Sequence, residues 1–291
     1  VTAREEYVLV DDGARLWTAT QGRGRPFVLC HGGPGGTDTL APVAAMVDDL
    51  ALVHRYEQRA CGRSSGGIPY TMARSVADLE AVRRHWGYDR WLVGGVSFGA
   101  ALALAYAIEH PQRVQGLVYV SCVVRLAGQP DWTAQFRLAR VERIPEPERG
   151  RYLELQRRRA ESADADVALA TEARQLTIGT EFGDPDMARR MTSRLEAELA
   201  EVNQEVNRDL GEDFEQYFLA PNTSIRLRSL DCPVLLVHGT ADPRPIAAVE
   251  ALAEALPQAR LVRLSGVGHF VQWETPEALR DLLREFITSV T

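Results

Sequence analysis

Long apolar runs, paired cysteines and metal-ligand spacings are all missing from this sequence of 291 residues. No stretch in it approaches the roughly 20 uninterrupted apolar residues of a membrane-spanning helix. The four cysteines form no CxxC pair, and there is neither an HExxH motif nor a cysteine–histidine cluster. These absences argue against a membrane protein, a disulfide-built scaffold and a metalloenzyme. We therefore expect a cytoplasmic protein with reduced thiols that needs no metal and no other cofactor.

An excess of positive charge is missing as well. The sequence carries 33 basic residues against 40 acidic ones, a formal net charge of −7 at pH 7. Such a balance provides no overall attraction for nucleic acid or for an anionic membrane surface. We therefore expect neither a nucleic acid nor a membrane as the partner. Nothing in the composition indicates an oligomeric state.

The sequence does contain a regular alternation of short apolar segments and helical ones. A hairpin is predicted at residues 7–20, with Asp11-Asp12-Gly13 at its turn. Further strands are predicted at residues 27–30, 52–57, 91–95, 117–120, 234–238 and 259–264, and helices at residues 75–86, 98–110 and 276–287. This alternation predicts an α/β fold, in which a mostly parallel central sheet is flanked by helices on both faces.

The interval from residue 126 to residue 225 has a different texture. It holds charge-rich helical segments with breaks near Pro145, Pro185 and Pro221, and no convincing strand. Because strands resume after it, we interpret this interval as an insertion into a single sheet domain. The predicted organisation is a core formed by residues 1–125 and 226–291, with residues 126–225 as a helical cap over the carboxyl edge of the sheet.

The segment GVSFG, residues 95–99, places a serine between a predicted strand and a predicted helix. In this context the pattern G-x-S-x-G indicates a nucleophile elbow, a turn so tight that the positions two before and two after the serine need glycine. A glycine-rich turn with an incidental serine would show the same pattern. The flanking strand and helix favour the functional interpretation, so Ser97 is the predicted nucleophile.

A serine nucleophile needs a base, and the base needs an acid that orients it. Of the six histidines, His269 stands out because it lies in a flexible loop, SGVGHF, between the last predicted strand and the final helix. Asp242 directly follows the strand at residues 234–238, whereas Asp231 precedes that strand and would lie at the wrong end. The order Ser97, Asp242, His269 is the chain order of the triad in the α/β-hydrolase fold.

The segment HGGPGG, residues 31–36, follows the strand at residues 27–30, so its backbone amides should lie at the same sheet edge as the serine. We expect the N–H groups of Gly33 and Phe98 to form an oxyanion hole. Phosphate binding is the alternative for such a loop. It is disfavoured because the segment lacks the GK[ST] ending of a P-loop and the glycine spacing of a dinucleotide site.

These segments, with YEQRACGRS at residues 56–64 and GGVSFGAALALAYAIEHPQRV at residues 94–114, resemble the α/β-hydrolase superfamily and, within it, the proline iminopeptidase branch of serine peptidases. The resemblance covers roughly residues 25–125 and 232–275, and it implies an α/β-hydrolase fold with an inserted helical cap. Two positions depart from the branch. Phe98 stands where a tryptophan commonly follows the nucleophile, and residues 57–60 read EQRA where the branch has a segment like DQRG.

The resemblance implies a serine hydrolase that works through an acyl-enzyme, first of all an aminopeptidase that releases N-terminal residues, proline preferred, from short peptides. Aminopeptidases of this branch hold the free amine with cap carboxylates. Glu215 is the expected counterpart, with Glu212 and Asp213 as neighbours, although it would equally suit the solvated face of a charged helix. The alternatives are an ester, lactone or small-amide hydrolase with the same triad, and a hydrolase-fold binding protein without turnover. The complete triad argues against the binding protein.

Overall fold

The computed structural model describes residues 3–146, 148–161 and 167–290. Within these ranges the strands are β1 (Arg4–Leu9), β2 (Arg15–Gly22), β3 (Arg25–Cys30), β4 (Ala51–Tyr56), β5 (Trp91–Val96), β6 (Val114–Val120), β7 (Val234–Gly239) and β8 (Ala259–Leu264). The helices are α1 (Ala41–Ala45), α2 (Met72–His85), α3 (Phe98–Glu109), α4 (Thr133–Arg143), α5 (Glu148–Glu161), α6 (Val167–Ile178), α7 (Pro185–Ala200), α8 (Gln204–Leu219), α9 (Thr223–Arg228), α10 (Ile246–Ala255), α11 (Val271–Glu274) and α12 (Pro276–Ser289).

The described strands form one eight-stranded sheet in the order β1-β2-β4-β3-β5-β6-β7-β8. The hairpin β1–β2 and the pair β2–β4 are antiparallel, and the pairs from β4 through β8 are parallel. The predicted α/β architecture with a mostly parallel central sheet is confirmed. Because the parallel strands point the same way, the loops that follow β3, β5, β7 and β8 all emerge at one edge.

The central strands are buried on both faces, and alternate residues enter different cores. In β5, Trp91 and Val93 pack into an apolar cluster with α2, α3 and α10, whereas Leu92 and Val96 pack into a second cluster with α1 and α12. Full burial of each such side chain contributes about 1.5–3 kcal/mol to folding. The two clusters fix the sheet between two helical layers and so hold its carboxyl edge in place.

The described residues between β6 and β7 form the helices α4 to α9 and their connections, with no strand among them. We call the described residues between 133 and 228 the helical segment; residues 147 and 162–166 of the predicted cap lie outside the described residues. One small apolar cluster joins α5 to α6 around Leu155, and a second joins the α6–α7 region to Phe270 and Trp273 beside α11. The second cluster anchors the helical segment beside the loop that carries His269. None of the helices among the described residues is both long and apolar enough to cross a membrane.

Candidate active site

Ser97 lies in the sharp turn between β5 and α3. Its backbone has φ of 55° and ψ of −131°, a combination that residues with side chains rarely adopt. Close backbone contacts explain the flanking glycines: a Cβ on Gly95 would lie 2.2 Å from the backbone of Gly99, and a Cβ on Gly99 would lie 2.0 Å from the Cys30 carbonyl oxygen. The turn therefore needs glycine at both positions and leaves the Ser97 hydroxyl at the carboxyl edge of the sheet.

The structure brings the three side chains of the predicted triad into one hydrogen-bonded chain. His269 Nε2 lies 3.1 Å from Ser97 Oγ, and His269 Nδ1 lies 2.8 Å from Asp242 Oδ2. Asp242 and His269 are both buried, at 6% and 5% exposure. Their loops follow β7 and β8, and Ser97 follows β5. Residues 172 and 27 positions apart in the chain therefore meet at one edge of the sheet.

The electrostatic setting of Asp242 fixes the direction of these hydrogen bonds. Burial raises the pKa of this carboxyl, but the nearby charges of Arg244 and His269 and the hydrogen bond from His269 outweigh burial and hold the pKa well below its usual range. Because an ionised carboxylate can only accept, the shared proton lies on Nδ1 of His269. Nε2 is then free to accept the proton of the Ser97 hydroxyl, which is the arrangement of a general base.

The loop after β3 lies beside Ser97. A Cβ on Gly32 would be 3.2 Å from Ser97 Cβ, and the next residue, Gly33, has a left-handed φ of 61°. Phe98 occupies the first turn of α3, where backbone N–H groups have no partner within the helix. The two amides expected to form an oxyanion hole, those of Gly33 and Phe98, thus belong to segments that both adjoin the serine.

The loop after β3 is held in place by hydrogen bonds of His31 and Gln58. The Gln58 backbone N–H donates to His31 Nε2 at 3.0 Å, so the proton of His31 is on Nδ1, which lies 3.0 Å from the Gly32 carbonyl oxygen. Burial lowers the pKa of His31, which keeps the ring neutral. His31 therefore has a structural role: it supports the loop that carries Gly33.

The remaining histidines contact other partners. His54 bonds Thr20 and Tyr88 within the sheet layer, and His85 lies 3.8 Å from Glu6. His110 caps the end of α3. His238 is fully buried, 3.3 Å from the Arg244 carbonyl oxygen and 3.9 Å from Asp242. Within the described residues no group of three or more histidine, cysteine, aspartate or glutamate side chains is placed to hold a metal ion.

A cavity of about 350 Å³ opens above Ser97. The sheet side contributes Ser97, Phe98, Cys122 and the turn at Arg244, and the helical segment contributes α4 and α8. Most of its wall is apolar, and its aromatic residues are Phe98, Trp132, Phe136, Phe214 and Phe218. A space of this size suits a small acyl group, such as one amino-acid residue, held among rings.

Glu215 lines this cavity, on α8. Its carboxylate lies 3.5 Å from Arg125 Nη1, which is also 3.4 Å from Asp131, so one guanidinium faces two carboxylates. The other two acidic residues considered with it do not line the cavity: Glu212 is exposed, and Asp213 accepts the backbone N–H of Met72 at the start of α2. Arg125 was missed by the sequence analysis because no local pattern marks an arginine whose partner lies 90 positions away.

The helical segment also touches the loop beside the serine. The Asn207 side-chain amide donates to the Pro34 carbonyl oxygen at 2.8 Å, and the Asn203 backbone N–H donates to the Gly35 carbonyl oxygen at 2.9 Å. The start of α8 is thereby fixed to the segment that supplies Gly33. The helices and the sheet edge together line the site.

Comparisons with known proteins agree with this architecture. Residues 25–276 match the family model of the alpha/beta hydrolase fold. The chain is similar to a "probable proline iminopeptidase" from Leptolyngbya boryana, with 28% identity over an alignment 293 positions long. The alignment covers 92% of this chain and 88% of that protein. It is also similar to the solved structure of an esterase from Rhodococcus sp. ECU1013, with a TM-score of 0.76, 22% identity and coverage of 100% of both chains.

A second solved structure, an enol-lactonase from Burkholderia xenovorans LB400, gives a TM-score of 0.74 at 19% identity. It covers 98% of this chain and 100% of the lactonase. At these identities the two solved structures show the fold alone.

Proposed function

The chain belongs to the alpha/beta hydrolase fold family and is a hydrolase, and from that premise we propose that it is a serine hydrolase that releases N-terminal residues, proline preferred, from short peptides through an acyl-enzyme. The observation that carries this proposal is the continuous chain Ser97–His269–Asp242, with distances of 3.1 and 2.8 Å. The iminopeptidase name of the Leptolyngbya relative, which aligns over most of both chains, supports the substrate class.

In the proposed mechanism Ser97 Oγ attacks the carbonyl carbon of the first peptide bond while His269 Nε2 takes the hydroxyl proton. The negative charge that develops on the carbonyl oxygen is stabilised by the amides of Gly33 and Phe98. His269 then gives its proton to the departing amine, and the C–N bond breaks. A water molecule, deprotonated by the same imidazole, hydrolyses the acyl-enzyme and restores Ser97. The proposed steps use side chains and backbone amides of this chain.

The polar end of the cavity supports a substrate with a free amine. Arg125 faces both Asp131 and Glu215, so one negative charge is in excess there. The Glu215 side chain is 47% exposed. An ammonium group placed beside it would be paired with a carboxylate, which offsets the cost of removing water from the cation. The aromatic walls supply the apolar surface that a proline ring would cover.

We further propose that residues 126–225 act as a cap. The cavity is lined from both the sheet edge and the helices, and α8 is hydrogen-bonded to the loop of Gly33. A cap in this place would exclude bulk water from the acyl-enzyme and limit the size of the substrate. The four cysteines are free and buried, which supports a reducing compartment such as the cytoplasm.

A hydrolase of neutral esters or lactones is the second candidate, and one observation favours it. Arg125 already partly neutralises Glu215 at 3.5 Å, which weakens the field available to an ammonium group. The names of the two similar solved structures, an esterase and an enol-lactonase, belong to the same substrate class.

A matched substrate panel separates the two candidates. We would compare kcat/KM for prolyl p-nitroanilide, N-acetylprolyl p-nitroanilide, alanyl p-nitroanilide and p-nitrophenyl butyrate, with the Ser97→Ala protein as background. The aminopeptidase proposal expects cleavage of the prolyl anilide first and little cleavage of its acetylated form. Preference for the butyrate, or equal cleavage of the free and acetylated anilides, would favour the ester hydrolase. Absence of turnover on every substrate would favour the binding protein.

A further inference from the structure

Arg244 lies between two carboxylates behind the predicted triad. Its Nη1 donates to Asp242 Oδ1 at 3.0 Å and to Glu181 Oε2 at 2.8 Å, and its backbone N–H donates to the same Asp242 oxygen at 2.9 Å. The side chains of Arg244 and Glu181 are 19% and 12% exposed. Since Arg244 occupies Oδ1, the other oxygen of Asp242 is directed to His269.

Glu181 belongs to the helical segment, in the short turn Gly179–Glu181 between α6 and α7. Its backbone carbonyl oxygen accepts the N–H of His269 at 2.6 Å. One residue of the helical segment therefore contacts the base directly through its backbone and contacts the acid through Arg244. These are two independent connections from the same residue to two members of the triad.

The backbones of the two segments are in contact on either side of this point. A Cβ on Gly183 would lie 1.8 Å from the Gly266 carbonyl oxygen, and a Cβ on Gly268 would lie 2.3 Å from the Glu181 carbonyl oxygen. Glu274 accepts the N–H groups of Gly183 at 2.8 Å and Gly268 at 2.9 Å with its two oxygens. The turn of Glu181 and the loop of His269 therefore form one packed unit.

We propose that Arg244 and Glu181 are positioning residues that join the helical segment to the acid and base of the triad, and that their opposite charges set how readily His269 takes a proton. This inference presupposes the serine mechanism proposed above. The guanidinium disfavours a positive imidazole nearby, and the Glu181 carboxylate favours it. Loss of either partner leaves the charge of the other without compensation, so the two losses should act on His269 in opposite directions.

Other charged or titratable groups lie near these residues, and they stay the same in every variant compared. Asp242 is its direct partner and Ser97 is its proton donor. The further titratable or charged side chains near Asp242, Glu181 and the His269 loop are His238 on β7, Arg140 and Arg143 on α4, Arg174 on α6, Cys122 after β6 and Glu274 on α11. The two substitutions that test the pair leave all of these groups in place, so the difference between them isolates the two charges.

The test measures the rate at which a fluorophosphonate probe labels Ser97, as a function of pH, beside kcat/KM for the best substrate. In Arg244→Gln the acid limb of both profiles should move to higher pH, and in Glu181→Gln it should move to lower pH, each by roughly 0.5–1 pH unit. Opposite shifts of the acid limb cannot come from a general loss of structure, because such a loss would lower the rate at every pH and would not move the limb. Arg244→Lys keeps the charge, so it should lower the rate and leave the limb near its wild-type position.

The matched control is the ion pair Arg263–Glu250, which is exposed and joins β8 to α10 at 2.8 Å. Arg263→Gln and Glu250→Gln remove the same charges and should move neither profile. Shifts of one sign in Arg244→Gln and Glu181→Gln, or shifts no larger than those of the control pair, would overturn the inference. If Arg244→Gln does not fold, the downward shift of Glu181→Gln decides alone. Failure of the probe to label Ser97 in the wild-type protein would instead contradict the serine mechanism.

Discussion

The strands at the centre of the sheet and the helices α4 and α5 differ in how much apolar side chain they bury. Every residue of β5 and β7 is buried, and their side chains alternate between two large apolar clusters. Helix α4 buries none of its residues, and α5 buries Tyr152 and Leu155. The surface of α5 carries ion pairs, in which Arg151 pairs with Glu154 at 3.0 Å and with Glu172 of α6 at 2.6 Å. Since the sequence contains no lysine, arginine supplies the cation of these pairs.

This difference suits two separate tasks, the placement of the triad side chains and the choice of substrate. The proposed nucleophile and acid follow β5 and β7, which apolar packing holds on both faces. The proposed base follows the edge strand β8, which the sheet holds through its pairing with β7. The aromatic and charged groups that line the cavity come largely from α4, which buries none of its residues, and from α8, which packs Phe218 into the large cluster. The packing of α4 can therefore change at lower cost than that of the sheet. We expect substitutions on the sheet side to affect the chemical step, and substitutions on the helical side to affect which substrate binds.

The largest effect should come from Ser97→Ala. Loss of the nucleophile should lower kcat on the order of 10⁶-fold, because the remaining groups have nothing to acylate. The fold should be retained, since alanine has no larger side chain in the turn, and the melting temperature should stay within a few degrees of wild type. Steady-state kinetics and thermal unfolding measure the two quantities. More than a few per cent of residual activity would show that another residue is the nucleophile.

Asp242→Asn should have the next largest effect. The asparagine amide offers one acceptor oxygen where the carboxylate offers two, and it carries no charge to stabilise the imidazolium. We therefore expect kcat to fall about 10⁴-fold with little change in KM. Asp231→Asn is the control, because this residue precedes β7 and lies at the opposite end of the strand. A normal kcat in Asp242→Asn would point to a different carboxylate.

The two interiors can be compared directly by truncating one fully buried leucine in each. Leu236 lies in β7 within the large cluster, and Leu155 lies in α5 within the small one. We expect Leu236→Ala to lower the free energy of unfolding by about 4 kcal/mol and Leu155→Ala by about 2 kcal/mol, since the smaller cluster can relax around the cavity. Urea denaturation followed by circular dichroism measures both. Equal losses, or the reverse order, would contradict the proposed difference in packing.

The groups at the sheet edge could be predicted because their signals are local. Gly95 and Gly99 follow from a tight turn, and His269 lies in a loop after a strand whose bounds, Ala259–Leu264, agree with the prediction. The position of β3 between β4 and β5 was not predicted, since strand order depends on pairing between distant segments.

The same reason explains what was missed at the site. Arg244 and Glu181 are 63 positions apart, and neither belongs to a recurring pattern. An arginine two residues after the acid reads as an ordinary polar residue until the helical turn of Glu181 is placed beside it. Contacts between the helical segment and the sheet edge are long-range and polar, and hydrophobic periodicity carries no information about them.

The smallest predicted effect concerns Glu215, and it tests whether selection resides in the helical segment. Glu215→Gln removes the carboxylate beside Arg125 while it keeps the shape of the side chain, so KM for prolyl p-nitroanilide should rise about 2–5-fold, the scale of one partly exposed ion pair. Hydrolysis of p-nitrophenyl butyrate should remain within twofold of wild type, because a neutral substrate does not use this charge. Glu212→Gln is the matched control, because it removes the same charge from the same helix at an exposed position outside the cavity wall. It should leave KM for both substrates unchanged. A larger KM for the butyrate as well would mean that Glu215 supports the cavity instead of binding an amine, and the ester hydrolase would then be the better proposal.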